Sequence, residues 1–444
     1  MKLVLALIAV VFTTSTVQAQ FWRVEASGFS NTSRGVNKIH IGTATTAWGV
    51  AYDGITPSNN IQEFVRTNDA GQSWIPGSFD LGNVNLGISN VCDAGGTTAY
   101  VAAHPLNAGD QGGVWKTTDA GLTWTRQAGA LYQDSSSFPN FVHFFDNAGV
   151  TAGDPVNGFW EIYVSSNGGS TYTRVPSANI PAVLPGEFGY FGQYTYYGNN
   201  IWFTTSKGRI IHSSDRGVNW TAYQSPLSDF GGTTVFGDIS FADSNKGIIQ
   251  DNNGNLYRTN DSGATWQGIN ISGTGFPYGD FIAYVPDSNR IVSCGQRTTY
   301  SGSSYSLDDG VTWINIDTNQ HLDVAFFNED TGYSGGFNIS STVDGMFVYD
   351  SNVLNLAEEE QVSLTMFPNP ATDVVRFTTA TSFDTIMIYD LNGRVVKQEF
   401  NVEEISISDL KTGTYLLTIE SKEASNGGKM VNSTSYKTFK LVKI

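Results

Sequence analysis

From residue 21 to about 350, short apolar runs alternate with polar, glycine-rich breaks. One rhythm recurs. A hydrophobic strand comes first, then a second ending in small residues. A third leads into a turn phrase, and a fourth opens on an aromatic residue. One period shows all four: Asp238–Ala242, Lys246–Gln250, Leu256–Thr259 and Trp266–Ile271. An earlier one runs from about Ile39 to Phe79.

The turn phrase is written six times. It reads Thr-Asn-Asp-Ala-Gly-Gln-Ser-Trp at 67–74, Thr-Thr-Asp-Ala-Gly-Leu-Thr-Trp at 117–124 and, in a worn form, Ser-Ser-Asn-Gly-Gly-Ser-Thr-Tyr at 165–172. It returns as Ser-Ser-Asp-Arg-Gly-Val-Asn-Trp at 213–220, Thr-Asn-Asp-Ser-Gly-Ala-Thr-Trp at 259–266 and Ser-Leu-Asp-Asp-Gly-Val-Thr-Trp at 306–313. The acidic or amide position falls at 69, 119, 167, 215, 261 and 308, in steps of 50, 48, 48, 46 and 47. A period of that size means an array of supersecondary units sharing one core.

Each phrase has the chemistry of a tight hairpin. Its glycine supplies a positive φ at no steric cost. The Asp or Asn two residues earlier can fold back onto turn N–H groups. The aromatic residue offers a large plate to pack between units. Asp69, Asp119, Asn167, Asp215, Asp261 and Asp308 are therefore expected to be structural, not catalytic. After the sixth phrase the rhythm continues through Asp323–Phe327, Gly332–Gly336 and Met346–Tyr349, which lack a fourth strand. Phe21-Trp22-Arg23-Val24 opens with an aromatic pair and can supply it. This predicts seven four-stranded blades, the last closed by the N-terminal strand, which removes the exposed edges of an open array.

The phrase resembles the Asp box, or BNR repeat, of sialidase-like and sortilin-like β-propellers, and the resemblance covers roughly residues 21–350. It implies that the box is a staple at the rim, away from any ligand. Residues 351–363 break the rhythm, and Glu358–Glu360 marks a solvated linker. Beyond it come an alternating strand at Val374–Thr378, then Ile386–Leu391, a turn at Asn392-Gly393 and Arg394–Val396. Last come Leu410–Ile419 and Tyr436–Ile444, the pattern of a small antiparallel sandwich. Phe-Pro-Asn-Pro-Ala at 367–371, Ile-Tyr-Asp-Leu-Asn-Gly-Arg-Val-Val at 388–396 and Thr-Gly-Thr-Tyr-Leu-Leu at 412–417 make this segment resemble the type A C-terminal sorting domain of the type IX secretion system. That resemblance implies a Bacteroidota-type cell, passage through the periplasm, and recognition by an outer-membrane translocon that releases or anchors the cargo. The fold class expected is all-β: a seven-bladed β-propeller followed by a small Ig-like β-sandwich. The domains expected are a signal peptide at 1–19, the propeller at 20–350, an acidic linker at 351–363 and the sorting domain at 364–444.

Composition refines this picture. Lys2, the apolar run Leu3–Phe12 and Val17-Gln18-Ala19 read as a secretory signal peptide. No later apolar run reaches membrane-spanning length, so no transmembrane segment is expected in the mature chain. The formal charge is −17. Residues 364–444 are balanced, with nine basic and nine acidic side chains, so residues 21–363 carry the excess, fourteen basic against thirty-two acidic. Such a surface repels nucleic acid and suits neutral glycans, cationic ligands or Ca²⁺. Cys92 and Cys294 lie in the second and sixth units, so buried free thiols are expected rather than a disulfide.

Candidate chemistry is sparse. Propeller ligands usually sit over the central channel, and three successive blades put an aspartate at the start of an inner strand: Asp238, Asp280 and Asp323. Together they offer oxygen ligands for a cation, which makes Ca²⁺ the candidate cofactor, or contacts for a ligand. Asp154 in Gly-Asp-Pro-Val and Glu187 in Pro-Gly-Glu-Phe are a candidate acid and base for glycoside hydrolysis. The five histidines are scattered without local metal-ligand spacing; His143 is a candidate ligand contact near the mouth. Aromatics at 190–197 suit stacking on sugars. Sialidases of the resembling family use an arginine triad, first met in Phe/Tyr-Arg-Ile-Pro. Here Phe21-Trp22-Arg23-Val24 lacks the proline, and Arg174-Val175-Pro176 directly follows a turn phrase. The expected function is an exported binding or adhesion module for glycan or protein. The alternative is a glycosidase using Asp154 and Glu187.

Overall fold

The computed structural model describes residues 21–351 except 131 and 299. In the tail it describes 366–377, 383–390, 393–402, 404–422 and 434–444. The expected signal peptide and nearly all of the acidic linker lie outside the described residues. The chain divides into two compact units, 1–353 and 354–444.

The first unit is a β-propeller. Its strands sort into antiparallel four-stranded units in chain order. The strand that opens each is Arg34–Ile41, Leu86–Asp93, Pro139–Phe144, Gly189–Tyr197, Gly237–Phe241, Phe281–Tyr284 and Asp323–Asn328. These seven opening strands touch one another in series, and the seventh touches the first, so they ring a central channel. The last unit takes its outer strand from the other end of the chain. Trp22–Ala26 pairs antiparallel with Val343–Tyr349, Trp22 opposite Tyr349 and Ala26 opposite Gly345. Trp22 is buried, and its indole N–H donates to Ser303 Oγ at 3.0 Å. One further pairing, Gly35 opposite Phe337, links the last unit to the first.

All six turn phrases fold alike. In the second, Thr117 Oγ1 donates to Asp119 Oδ1 at 2.8 Å and accepts the Gly121 N–H at 2.9 Å. Asp119 then accepts from the Thr123 N–H at 2.9 Å and the Thr123 hydroxyl at 2.6 Å. The worn third phrase keeps the same four contacts through Ser165, Asn167, Gly169 and Thr171, with one reversed: the Asn167 amide donates to the Thr171 hydroxyl at 2.9 Å. The glycine has positive φ, and so does the residue before it: Ala120 at 63° and Gly121 at 86°. Two left-handed residues in a row match the twist of the strands they join. The sequence pattern marked only the glycine.

The fourth strands begin one residue later than the aromatic positions suggest, at Ile75, Thr125, Thr173, Thr221, Gln267 and Ile314, and span only two to four residues. The aromatic side chain leaves the ladder and turns inward. Trp220, Trp266 and Trp313 donate their indole N–H to the phrase glycine's carbonyl, at 2.8, 2.9 and 2.9 Å. Each packs back towards the preceding unit. Trp124 meets Trp48 edge-on, and Trp74 meets Tyr333 of the last unit. The core is thus a set of apolar layers between neighbouring units, with Trp48, Trp160 and Trp202 fully buried. Both cysteines are free and buried.

In the second unit, a four-stranded sheet (Val395–Val402, Phe383–Tyr389, Gly413–Lys422, Thr434–Lys443, in spatial order) shares one core with a three-stranded sheet of Met366–Phe367, Val374–Phe377 and Glu404–Ser406. Val375, Ile405, Ile386, Leu417 and Leu441 fill that core. Asn369 of the Phe-Pro-Asn-Pro segment pins the start of the domain to its last strand, accepting the Val442 N–H at 2.9 Å and donating to the Lys440 carbonyl at 2.7 Å. No helix among the described residues is long and apolar enough to cross a membrane.

Candidate functional site

The ring of opening strands leaves a cavity of about 710 Å³ at the channel, and Asp238, Asp280 and Asp323 all line it. Their carboxylates do not stand free. Asp238 accepts the Ile239 N–H at 2.8 Å and, from the next unit, the Ile282 N–H at 2.9 Å. Asp323 accepts the Val324 N–H at 2.8 Å and the Ile39 N–H of the first unit at 2.6 Å. Asn90 does the same for the Val142 N–H at 2.9 Å, and Ser240 for the Tyr284 N–H at 2.9 Å. These side chains are latches. The edge of each opening strand faces its neighbour, and its N–H groups would be buried without partners. Asp280 is engaged otherwise, by the Gln296 N–H at 2.8 Å and an ion pair with Arg297 at 3.0 Å. The three aspartates share the cavity but are not gathered into a cation cage. Among the described residues, no three carboxylates bring their oxygens within 4.8 Å of one another.

Burial dominates the electrostatics here. It pushes Asp238 up to about 6 and Asp323 to about 7, against the N–H bonds that favour the charged form. Lys38 reaches the same cavity from a bulge in the first opening strand, where the register shifts between Asn37 and His40 and Lys38 itself has φ 52°. Its ammonium donates to the Ile88 carbonyl at 2.7 Å and lies 4.5 Å from the centre of the Phe191 ring. Burial lowers it to about 7, opposed by the charge of Asp323. A bulge that re-aims one side chain is a common device beside sites, and periodicity did not reveal it. Around these charges the cavity shows exposed aromatic faces at Phe191, Tyr196 and Phe327 and amides at Gln193 and Gln296.

Asp154 and Glu187 do not line this cavity. Asp154 Oδ1 takes the Asn140 amide at 2.8 Å and the Gly189 N–H of the next unit at 2.9 Å, another latch, and burial raises its pKa. The Glu187 side chain is fully buried and pairs with Arg209. It also accepts from the Thr205 hydroxyl at 2.8 Å and the Leu184 N–H at 2.9 Å. Burial would raise it, but the bonds from Arg209, Leu184 and Thr205 hold it below the usual carboxylate range.

His143 is buried and does not itself line the cavity; it belongs to a group that local spacing did not show. His40, Cys92 and His143 sit on the first three opening strands, and one ligand atom from each lies within 4.8 Å of the others. Positions 40, 92 and 143 are each about one repeat period apart, and this is the signal that could have found them. The expectation that the histidines are scattered is corrected by the ring, which brings equivalent positions of successive units together. Two of the three are also latches: the Asp93 N–H donates to His40 Nδ1 at 3.1 Å and the Phe144 N–H to Cys92 Sγ at 3.3 Å.

Residues 365–433 match the family of secretion system C-terminal sorting domains. The chain is therefore delivered to the cell surface or secreted by the type IX secretion system, with which its tail interacts. No curated protein sequence matches the chain. Two solved structures superpose on it at the level of fold. YCF48 bound to D1 peptide has a TM-score of 0.51 and 15% identity, over 75% of this chain and 98% of that one. YCF48 from Cyanidioschyzon merolae has a TM-score of 0.50 and 17% identity, over 74% and 99%. They show a β-propeller fold and nothing of function. The GH74 enzyme of Niastella koreensis is more loosely similar, with a TM-score of 0.30 and 14% identity over 70% of this chain and 59% of that one.

Proposed function

We propose that the chain is an exported, seven-bladed Asp-box propeller that binds a neutral glycan at its central cavity and does not cleave it. The observation that carries this reading is the state of the cavity carboxylates. Asp238 and Asp323 accept backbone N–H groups from two blades each, and Asp280 is held by Arg297. A proton donor and a nucleophile need carboxyl groups facing the scissile bond, and these are committed to the ring. What the cavity does offer is exposed rings for stacking and the Gln296 amide for hydroxyl groups. The acidic surface suits a neutral partner better than an anionic one.

The hydrolase reading is favoured by one observation: Asp154 is held up and Glu187 down, the split an acid and its partner need. Against it, each has its oxygens bound to neighbouring groups. The test incubates the purified full-length chain with a panel of neutral polysaccharides and sialoglycans, counts new reducing ends, and measures retention on each glycan. Retention without new ends is expected. New ends that vanish in Glu187→Gln would overturn the binding reading, and retention only on peptides would move the ligand class to protein.

A further inference from the structure

We propose that His40, Cys92 and His143 form a copper(I) site that ties the first three propeller units together. The three side chains come from equivalent positions on successive opening strands and are all buried. His40 Nε2 lies 3.3 Å from His143 Nδ1 and 3.7 Å from Cys92 Sγ. An ion about 2.0–2.1 Å from two imidazole nitrogens and about 2.3 Å from a thiolate sets the nitrogens about 3.3–3.5 Å apart and nitrogen to sulfur about 3.6–3.8 Å apart, between tetrahedral and trigonal angles. The observed separations fall in these ranges, so His40 Nε2 already stands at co-ligand distance from both other donors.

Ligand softness and number point to copper. Two imidazoles and one thiolate, joined among the described residues by no fourth His, Cys, Asp or Glu, make a set that suits a soft, low-coordinate ion better than Ca²⁺ or Mg²⁺. The Tyr196 ring lies against both imidazoles, its centre 4.0 Å from that of His143 and 5.2 Å from that of His40, an aromatic cover instead of a further donor. The Phe144 N–H already aimed at Cys92 Sγ is the kind of bond that supports a bound thiolate. His40 lines the central cavity, which gives an ion a way in from solvent.

The metal-free hydrogen bonds set the terms of loading. Because the Asp93 N–H donates to His40 Nδ1, His40 carries its proton on Nε2 and offers it to His143 Nδ1. Ligation moves that proton from Nε2 to Nδ1, which ends the Asp93 bond, and removes the Cys92 thiol proton to solvent. The Nε2–H bond to His143 ends as well, and two hydrogen bonds are a small loss against three metal–ligand bonds. Loading releases one proton per ion.

The experiment titrates the full-length chain with copper(I) alone, anaerobically, against a chromophoric chelator. One tightly held equivalent is expected, weakened about 100-fold or more in Cys92→Ser, since even residues supporting a ligand change affinity 10–100-fold. Cys294→Ser, at the other buried thiol, should bind like the parent. X-ray absorption of the loaded parent, which does not depend on the folding of any variant, should show two nitrogen neighbours and one sulfur. Absence of a tight equivalent, binding unchanged in Cys92→Ser, no sulfur neighbour, or uptake of Zn²⁺ in preference to copper(I) would each overturn the proposal.

Discussion

Asp119 and Asp323 are the same side chain in two regions of one propeller, yet the first is held near 2 and the second pushed to about 7. At the turn, the Thr123 hydroxyl, the Thr123 N–H and the Thr117 hydroxyl converge on a carboxylate that water still reaches. At the channel, Asp323 accepts two backbone N–H bonds, but it is buried, and desolvation wins. Hydrogen-bond number therefore does not settle the charge state; what the bonds must offset does. The turn carboxylates staple each unit to itself. At the channel, Asp238 and Asp323 staple one unit to the next.

The largest effect expected is at a channel latch. Asp323→Ala leaves the Ile39 and Val324 N–H groups without partners, and should lower stability by about 3 kcal/mol, at about 1–3 for each buried orphan, measured by denaturant unfolding. If water heals the gap and the loss stays under about 1 kcal/mol, the latch account is broken. Next comes Gly121→Ala. At φ 86° a Cβ would lie 2.4 Å from Phe64 Cζ of the first unit, so left-handed strain and overpacking together should cost about 2 kcal/mol. Gly158, also left-handed at 82° but with nothing near its Cβ position, should lose only about 1 kcal/mol as Gly158→Ala. Asp215→Ala at a turn, where water can replace the carboxylate, should cost about 1 kcal/mol. Asn167→Asp in the worn phrase should change stability by about 0.5 kcal/mol or less, since Asn167 already makes the same contacts and only the Thr171 hydroxyl bond must reverse its donor.

The two regions should also separate by pH. The turn carboxylates have depressed folded pKa values. Their contribution is present above the unfolded value near 4 and is lost as pH falls towards 2. Asp238 and Asp323 have raised folded values. Their contribution is fully present below about 4 and is lost as pH rises through about 6 to 7. Lys38 shares the cavity with both, and its lowered value works the opposite way above about 7. Unfolding free energy measured from pH 4 to 7 should therefore fall less steeply in Asp323→Asn than in the parent; an unchanged slope would contradict the assignment.

The turn phrases, the return of the N-terminal strand and the sorting tail were legible because each is written locally or at a fixed period. The third phrase looked worn by letters but not by bonds: Asn167 accepts and donates where an aspartate would accept, and Gly168-Gly169 meets the left-handed requirement twice. What stayed hidden depends on neighbouring units. Asp323 and Ile39 are 284 residues apart, and His40 and His143 are 103 apart. Their meeting follows from the closed ring and its register, which periodicity implies only in outline. Lys38 depends on a single bulge, and a bulge has no periodic signature. Asp154 and Glu187 stood out for their Pro/Gly surroundings, and those loops place them against Gly189 and Arg209 instead of open solvent.

Hydrogen–deuterium exchange of the full-length chain, with and without a glycan that retains it, tests the binding account most directly. Protection should appear in the cavity-lining segments 37–41, 191–197 and 236–241, with the turn phrases at 67–74 and 117–124 unchanged. Protection centred on the turn phrases, or on 154 and 187 with the cavity unchanged, would contradict it.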